Sequence, residues 1–469
     1  MLNLSDVEIQ RAGDLLKEFL RGYEKSLPGR AVFPPFNRAV LTDLFAQPFP
    51  NEGLGVDRLF QLIEEQVVPN STATAGPRYL AYVLGTPNGI APFADAIATA
   101  LNQNCNFWQL SPAASVIERK VIAWLASLFE FPETAGGIMT SGGSMATLIA
   151  LAAALNDKFP GDFRRAGLQS ADAPMVLYTS EEAHRCVDKA AATLGIGLDN
   201  VRKIPVDREF RMRTDLLGRA IREDRTNGKH PFCVVAAAGT INTGAIDPIA
   251  ELAEFCKREN LWLHVDGAFG ALFVLSEKYR DELVPCGLAD SIALDPHKLL
   301  FSSLEAGCVI MLDKHKLRDA FRFSSSYLPA EEDPLFNDFM DYGPQLSRSF
   351  KAFKIWCSLQ AFGVSKFVAA IDHTLKLTGY MQSQICADQA LELLAPVGLN
   401  AICFRLRNAS DEENRSALGE LVREGTAILG PVRIDGRFGM RACIANYRTQ
   451  ESDIDLILSS LRSKPPPKL

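Results

Sequence analysis

Two short apolar runs that end in chemically active side chains constrain this chain more than any other feature. Residues 261–265 lead into Asp266, and residues 291–294 lead into Asp295, Pro296, His297 and Lys298. A short apolar run that is stopped by proline, or followed by small residues, is typical of a buried strand. The sequence therefore predicts that Asp266 and Lys298 each follow a buried strand, at one edge of a sheet.

A lysine and a carboxylate in these positions have a specific chemical use. Burial at a strand end disfavours the charged ammonium, so more of the Lys298 amine is neutral and able to form an imine with an aldehyde. Small residues follow Asp266, so its carboxylate can approach a flat ring and keep a pyridine nitrogen protonated. Alone, Lys298 would be assigned to the surface before it was assigned to a cofactor, and Asp266 could equally be a metal ligand or a helix cap. Together they predict pyridoxal 5'-phosphate as the cofactor.

A glycine- and serine-rich segment predicts where the phosphate of that cofactor binds. Residues 136–144 contain four glycines, and they precede a strongly helical run over residues 145–156. Gly143 lets the backbone approach an anion, Ser144 adds a hydroxyl, and the first amides of a helix point at such a ligand. The segment is neither a P-loop nor a dinucleotide fingerprint, because GK[ST] and GxGxxG are both absent. A plain loop is the alternative interpretation.

Composition excludes several classes of function. The chain has 469 residues, 47% of them hydrophobic, and a net charge of −7 without basic blocks, which argues against nucleic-acid binding. No apolar run reaches membrane length, and because the residues near the N-terminus are charged we expect no signal peptide. Ten cysteines without a CxxC pair favour reduced thiols in a cytoplasmic protein. Six histidines without an HExxH motif predict no metal site.

The order of helical and strand patterns predicts the domain organisation. Ser5 and Glu8 form a capping box at the start of an amphipathic first helix. Strands alternate with helices from about residue 135 to 310, which predicts an α/β fold with a mainly parallel central sheet and helices on both faces. We expect an N-terminal helix and arm over residues 1–90, a large cofactor-binding domain over 91–365, and a small α+β C-terminal domain over 366–469.

Three motifs resemble one known family. LHVDGAFG around Asp266, LDPHKLL around Lys298 and TSGGSMATLIAL around Gly143 resemble the central motifs of the group II pyridoxal-phosphate-dependent amino-acid decarboxylases. That family includes aromatic amino-acid, glutamate and cysteine-sulfinate decarboxylases. The resemblance implies fold type I, which is the aspartate-aminotransferase-like fold of pyridoxal-phosphate-dependent transferases. It also implies a homodimer, in which the first helix and arm contribute to dimer packing.

The resemblance also implies roles for individual residues. Lys298 anchors the cofactor, and His184 stacks on its ring. The cofactor-binding residues implied are Gly143, Ser144, His184, Thr240, Asp266, Ala268, His297 and Lys298. Tyr82 and Phe107 lie in segments that bound the substrate pocket of the family, and these aromatic segments suggest an aromatic substrate. His184 and Asp266 complete the catalytic set with Lys298 and Tyr327.

Tyr327 carries the prediction about the reaction product. It belongs to a Tyr-Leu pair 29 residues after Lys298, in a polar, proline-bounded loop. In the family, a tyrosine at this spacing lies on a flexible lid over the neighbouring subunit's site and protonates the α-carbon, which favours an amine product. A surface tyrosine is the alternative.

One alternative is another pyridoxal-phosphate enzyme on the same fold, such as an aldehyde synthase, an aminotransferase or a carbon–sulfur lyase. The other is a degenerate, non-catalytic paralogue, which stays open because Ile241, Phe269 and Leu299 depart from the common family residues.

Overall fold

The structure is a computed structural model that describes residues 2–323 and 337–462. Tyr327, the whole loop expected over residues 324–334, and the proline-rich tail lie outside the described residues. The chain divides into two compact units. The large unit contains residues 85–378 and 395–402, and the small unit contains the described residues of 2–84, 379–394 and 403–462.

The helices alternate with the strands along most of the chain. Their bounds are α1 Asp6–Ser26, α2 Arg38–Ala46, α3 Gly55–Leu62, α4 Ala91–Leu101, α5 Pro112–Ser127, α6 Gly143–Lys158, α7 Phe163–Ala166, α8 Cys186–Thr193, α9 Thr214–Thr226, α10 Ile249–Glu259, α11 Glu277–Leu283, α12 Pro296–Leu299, α13 His315–Phe321, α14 Lys351–Phe362, α15 Val364–Ala387, α16 Asp411–Arg423 and α17 Glu451–Arg462.

The strands form two sheets. Their bounds are β1 Tyr79–Leu80, β2 Gly136–Thr140, β3 Met175–Ser180, β4 Val201–Ile204, β5 His230–Ala237, β6 Trp262–Asp266, β7 Ser291–Leu294, β8 Gly307–Met311, β9 Leu391–Leu393, β10 Ala401–Leu406, β11 Ile428–Ile434 and β12 Arg437–Cys443.

The central sheet of the large unit is mainly parallel, as the sequence predicts. In the described chain it has seven strands in the order β2-β8-β7-β6-β5-β3-β4. The pairs β3–β4, β3–β5, β5–β6 and β6–β7 are parallel, whereas β8 runs antiparallel to both of its neighbours. The strands β2, β3, β5, β6 and β7 therefore end at the same edge of the sheet, which is where α/β folds bind ligands.

Helix α6 packs across the centre of this sheet and is buried along nearly its whole length. It contacts β5, β6, β7 and β8. Its buried positions include a run of small residues, Ala150 and Ala152 to Ala154, which let its backbone approach the sheet closely. Because α6 begins directly after β2, this packing fixes the glycine-rich turn at the carboxyl edge of the sheet.

The small unit is built on a five-stranded sheet in the order β1-β11-β12-β10-β9 within the described residues. Strands β11 and β12 form a hairpin whose turn residues Asp435 and Gly436 have φ values of 48° and 77°. Left-handed backbone at both positions is the type I′ turn, which Asp-Gly favours.

The N-terminal segment of the small unit consists of α1, α2 and α3, none of which has a buried residue. The capping box is confirmed, since Ser5 accepts from the Glu8 amide and the Glu8 carboxylate accepts from the Ser5 amide. The compact division groups this segment with the C-terminal segments, and the domain bounds of residues 1–90, 91–365 and 366–469 stay a prediction. No helix among the described residues is long and apolar enough to cross a membrane.

Candidate active site

A cavity of about 460 Å³ lies at the carboxyl edge of the central sheet. Most of its walls come from the segments that follow β2, β5, β6 and β7, because these strands end at the same edge. It brings together eight predicted site residues that are distant in sequence, namely Gly143, Ser144, His184, Thr240, Asp266, Ala268, His297 and Lys298.

Lys298 lies on the single-turn helix α12 directly after β7. Its Nζ is 3.0 Å from Oδ2 of Asp295, which is buried, with 3% of its side chain exposed. The other carboxylate oxygen of Asp295, Oδ1, is buried and has no hydrogen-bond partner in the described structure. Asp295 therefore holds the Lys298 amine in the cavity, and its Oδ1 can still accept a hydrogen bond. The sequence interpretation used Asp295 only as a strand terminator and missed this contact.

Asp266 ends β6, and both of its carboxylate oxygens accept hydrogen bonds. The amide of Ala268 donates to Oδ1 at 3.2 Å, and the thiol of Cys186 donates to Oδ2 at 3.4 Å. Burial, followed by the negative charge of Asp266, raises the pKa of the Cys186 thiol, which therefore stays a protonated donor. These contacts hold the carboxylate in one orientation. The sequence analysis did not single out Cys186, although it stands two residues after His184.

Two histidines lie in the cavity wall. His184 follows β3, and its Nδ1 accepts from the amide of Cys186 at 3.2 Å, so the proton of the neutral ring is on Nε2. His297 Nδ1 is 2.7 Å from the carbonyl of Ala306 and therefore donates to it. Partial burial lowers the pKa of both imidazoles, although the nearby carboxylates of Asp266 and Asp295 oppose that shift. Both rings are thus neutral near pH 7, and His184 offers a flat face.

His184, Cys186 and Asp266 also have potential metal-ligand atoms that all lie within 4.8 Å of one another. All three residues line the same cavity as Lys298, so we assign them to the wall of the cofactor site.

The glycine-rich turn approaches the cavity so closely that a side chain would not fit. A Cβ atom built on Gly143 would lie 2.6 Å from Cβ of Ala268 and 3.2 Å from Oδ2 of Asp295. Gly143 is the first residue of α6, and Gly142 precedes it with an extended backbone. The amides at a helix N-terminus are free to bind an anion. The turn therefore presents backbone N–H groups, together with the exposed Ser144, to the cavity.

These residues fit pyridoxal phosphate. An amine for the aldehyde, a fixed carboxylate for the ring nitrogen, a flat imidazole and a side-chain-free helix N-terminus for the phosphate surround one cavity. When bound, pyridoxal phosphate supplies an electron sink for the bond that breaks at the substrate's α-carbon.

Three other predicted residues, Thr240, Phe107 and Tyr82, have less structural support as site residues. Thr240 lines the cavity, but its Oγ1 accepts from the amide of Ala245 at 3.1 Å and bonds to Oγ1 of Thr243 at 3.0 Å. Phe107 belongs to the large unit and is partly buried, but it is not among the described residues that line the cavity. Tyr82 belongs to the small unit, is 65% exposed and has a left-handed backbone with φ 58°. Their substrate-pocket roles stay predictions.

A buried ion pair supports the wall of the large unit near this cavity. Arg348 is bonded to the carboxylate of Glu118 and also donates to the carbonyl of Met139 at 2.9 Å. The amide of Met139 donates to Glu118 at 2.9 Å. Met139 lies on β2, directly before the glycine-rich turn, so the pair fixes the strand that positions the turn.

Comparison with known proteins identifies the family. Residues 39–407 match the model of the pyridoxal-dependent decarboxylase conserved domain. The chain belongs to this family. It is therefore a pyridoxal-phosphate-dependent amino-acid decarboxylase, as the motifs around Asp266 and Lys298 predicted, and it acts in amino-acid metabolism.

Individual relatives cover nearly the whole chain. The aromatic-L-amino-acid decarboxylase of Bacillus atrophaeus is 32% identical over 98% of this chain and 96% of its own length. The histidine decarboxylase of Rattus norvegicus is 29% identical over 95% of this chain and 69% of its own length.

Solved structures confirm fold type I. Oryza sativa TDC with PLP and tryptamine superposes with a TM-score of 0.91 at 25% identity, over 99% of both chains. The Rhodiola rosea 4-hydroxyphenylacetaldehyde synthase superposes with a TM-score of 0.88 at 26% identity, over 98% of this chain and 99% of its own.

Proposed function

We propose that this decarboxylase acts on an aromatic L-amino acid and releases the corresponding amine. The lining of the cavity carries the proposal. Its described lining residues include the apolar side chains of Met145, Ile241, Phe269 and Leu304, and no arginine. The carboxylates of Asp266, Asp295 and Glu305 line it as well. A substrate with an acidic side chain would meet repulsion there, whereas a neutral aromatic ring would bury apolar surface.

The relatives support the same substrate class. They include an aromatic-L-amino-acid decarboxylase, a histidine decarboxylase and a 4-hydroxyphenylacetaldehyde synthase.

Each residue of the site has a proposed task. Lys298 binds the cofactor covalently, and Asp295, 3.0 Å from its Nζ, accepts the proton that the amine must lose. Asp266 holds the ring nitrogen protonated. His184 stacks on the ring. Gly143 and Ser144 bind the phosphate at the N-terminus of α6.

The remaining cofactor contacts are also proposals from the family. Thr240, Ala268 and His297 form the cavity wall around the cofactor. Tyr82 and Phe107 contact the substrate, and Tyr327 of the neighbouring subunit donates the proton to the α-carbon.

The proposed active unit is a homodimer in the cytoplasm. Helix α1 is amphipathic, yet none of the residues of α1, α2 or α3 is buried. Large apolar side chains in and beside α2 are almost fully exposed, with Phe45 at 92% and Phe49 at 90%. An exposed apolar surface of this kind marks an interaction site, and a second copy of the chain is the partner that the family implies. None of the ten cysteines, all of which are described, forms a disulfide, which is consistent with a reducing compartment.

The test is a carbon dioxide release assay with purified, pyridoxal-phosphate-loaded protein. The panel contains tryptophan, tyrosine, phenylalanine, histidine, glutamate, cysteine sulfinate and 2,4-diaminobutyrate, and each product is identified by mass spectrometry. We expect the highest kcat/KM with an aromatic amino acid and an amine as product. A preference for glutamate or cysteine sulfinate would overturn the aromatic assignment, and an aldehyde product would overturn the amine assignment.

A further inference from the structure

Strand β6 carries three polar side chains on one face. Successive residues of a strand point to opposite faces, so Trp262, His264 and Asp266 point the same way. That face packs against α6, which contributes Thr147. Trp262 and His264 are buried in the large unit, whereas Asp266 lines the cofactor cavity.

A continuous series of hydrogen bonds connects these side chains to Asp266. Nε1 of Trp262 is 2.9 Å from Oγ of Ser291, and Oγ of Ser291 is 2.9 Å from Nδ1 of His264. Nε2 of His264 is 3.4 Å from Oγ1 of Thr147. Sγ of Cys186 is 3.8 Å from Oγ1 of Thr147 and 3.4 Å from Oδ2 of Asp266. We call Trp262, Ser291, His264, Thr147 and Cys186 the buried polar chain.

The first part of the buried polar chain allows one direction of donation. An indole N–H is only a donor, so Ser291 accepts from Trp262 and can donate its own proton to Nδ1 of His264. We infer this tautomer, in which Nε2 of His264 carries the proton and donates to Thr147. Burial lowers the pKa of His264 to about 4, so the ring is neutral at pH 7. At the far end, the Cys186 thiol is the donor toward both Oγ1 of Thr147 and Oδ2 of Asp266.

Burial makes this arrangement more than a set of packing contacts. Ser291, His264 and Thr147 have no exposed surface, and Trp262 and Cys186 are 3% exposed. Water cannot replace a missing partner at such positions, so an unpaired buried donor is destabilising. Removing one member therefore leaves its neighbour unsatisfied and changes the orientation of the next group.

We propose that the buried polar chain positions Asp266 for the ring nitrogen of the cofactor. His264 orients the Thr147 hydroxyl, Thr147 orients the Cys186 thiol, and the thiol fixes Oδ2 of Asp266. These residues are positioning residues, because none but Cys186 borders the cavity and none is needed to contact the substrate. The inference rests on the proposed role of Asp266 and adds the groups that fix its geometry and its electrostatic environment.

The first experiment needs no cofactor. Apoprotein with ¹⁵N-labelled histidine is examined by NMR, and the nitrogen shifts of His264 are assigned by their absence from a His264→Gln variant. We expect the neutral Nε2–H tautomer at pH 7, and a change in its shifts in Thr147→Val, in which the acceptor is lost. A neutral Nδ1–H tautomer would overturn the direction of the chain.

The second experiment uses the loaded enzyme and two matched pairs of variants. Thr147→Val and Cys186→Ala remove a polar group, whereas Thr147→Ser and Cys186→Ser retain one. We expect Thr147→Val and Cys186→Ala to lower kcat about tenfold, which is typical of losing a group that orients a site residue. KM should stay within about twofold of the wild-type value. We also expect the pH midpoint of the bound cofactor's visible absorption to move by about half a unit. The serine variants should recover both properties.

A buried threonine outside the chain serves as the control. Thr374 is fully buried in α15 and donates to the carbonyl of Ile371 at 2.7 Å, so Thr374→Val makes the same chemical change elsewhere. It should leave the pH midpoint and kcat unchanged. A wild-type midpoint and kcat in Thr147→Val and Cys186→Ala would overturn the proposal. If Thr147→Val does not fold, the comparison of Cys186→Ala with Cys186→Ser is sufficient to test the proposal.

Asp266→Asn, measured in parallel, separates this inference from the role of Asp266 itself. If Asp266→Asn retains turnover, the ring-nitrogen role is wrong, and the proposal that depends on it is overturned as well. If Asp266→Asn loses turnover while the Thr147 and Cys186 variants behave as wild type, the positioning proposal alone is wrong.

Discussion

The substitution Gly143→Ala tests the phosphate site with a single added methyl group. The new Cβ would lie 2.6 Å from Cβ of Ala268 and 3.2 Å from a carboxylate oxygen of Asp295, whereas carbon atoms in contact are normally 3.5–4.0 Å apart. Ala268 and Asp295 are both buried, so they cannot move away freely. The start of α6 must therefore retreat by about 1 Å, which withdraws its amides from the phosphate.

The size of the effect follows from the cost of overpacking. Forcing an extra methyl group into a packed site costs about 1–3 kcal/mol, which corresponds to about a 5- to 160-fold rise in the Kd of the cofactor. We expect kcat at saturating pyridoxal phosphate to stay within about threefold of wild type, because the residues around the reacting bond are unchanged.

The assay is a fluorescence titration of cofactor-free protein with pyridoxal phosphate. Gly419→Ala in α16 is the matched control, because a Cβ there would meet nothing within 4 Å. It should leave the Kd unchanged. An unchanged Kd in Gly143→Ala, or a loss of kcat at saturation without any loss of affinity, would refute the assignment of the glycine-rich turn to the phosphate.

Four further predictions concern the anchor, the product, the assembly and the pH dependence. Lys298→Ala should abolish the borohydride-trapped cofactor adduct; an adduct mapped by mass spectrometry to another lysine would contradict the anchor. In air, with dioxygen as the oxidant and water as the source of the aldehyde oxygen, Tyr327→Phe should release carbon dioxide more slowly and yield aldehyde, ammonia and hydrogen peroxide at the expense of amine. An unchanged amine yield would mean that another group supplies the proton. Sedimentation at assay concentration should give a dimer, and Phe45→Ser should weaken the association of the two chains. A fully active monomer would exclude the dimer as the active unit. His264, with a pKa of about 4 when folded and 6.5 as the ordinary value, binds its proton more readily in the unfolded state, so stability is lost as pH falls below 6.5. Urea unfolding at pH 7 and 5.5 should show wild type losing about 1 kcal/mol more than His264→Gln, and equal losses would contradict a buried neutral imidazole.

Much of the site could be predicted because its residues follow strand ends. Small residues mark the end of β6, and a proline marks the end of β7. Because parallel strands place their carboxyl ends at the same edge of a sheet, the sequence was enough to predict that Asp266 and Lys298 lie at one edge. The turn at Gly143 could be placed on the same edge, because a helical run follows it directly. The capping box at Ser5 could be predicted because it depends on residues three positions apart.

The contacts that the sequence did not reveal join residues that are far apart or inconspicuous. Arg348 pairs with Glu118 across 230 positions, and no local pattern indicates such a partner. His264 stands in an otherwise apolar run, and Thr147 in an alanine-rich helix, so each resembles an ordinary core residue until the packing of α6 on β6 brings them together. Asp295 served the sequence argument only as the end of a strand.

The connectivity of the small unit has a consequence for how the chain folds during synthesis. Strand β1 pairs with β11, where Tyr79 is opposite Ile428, and the segments of this unit are separated by nearly the whole large unit. Closing such long loops is slow, and contacts of this kind form late. Phe45 and Phe49, in and beside α2, are exposed in the folded chain and stay exposed while the ribosome makes the large unit. Molecular chaperones that bind exposed apolar segments therefore have their longest opportunity at the N-terminal end of this protein.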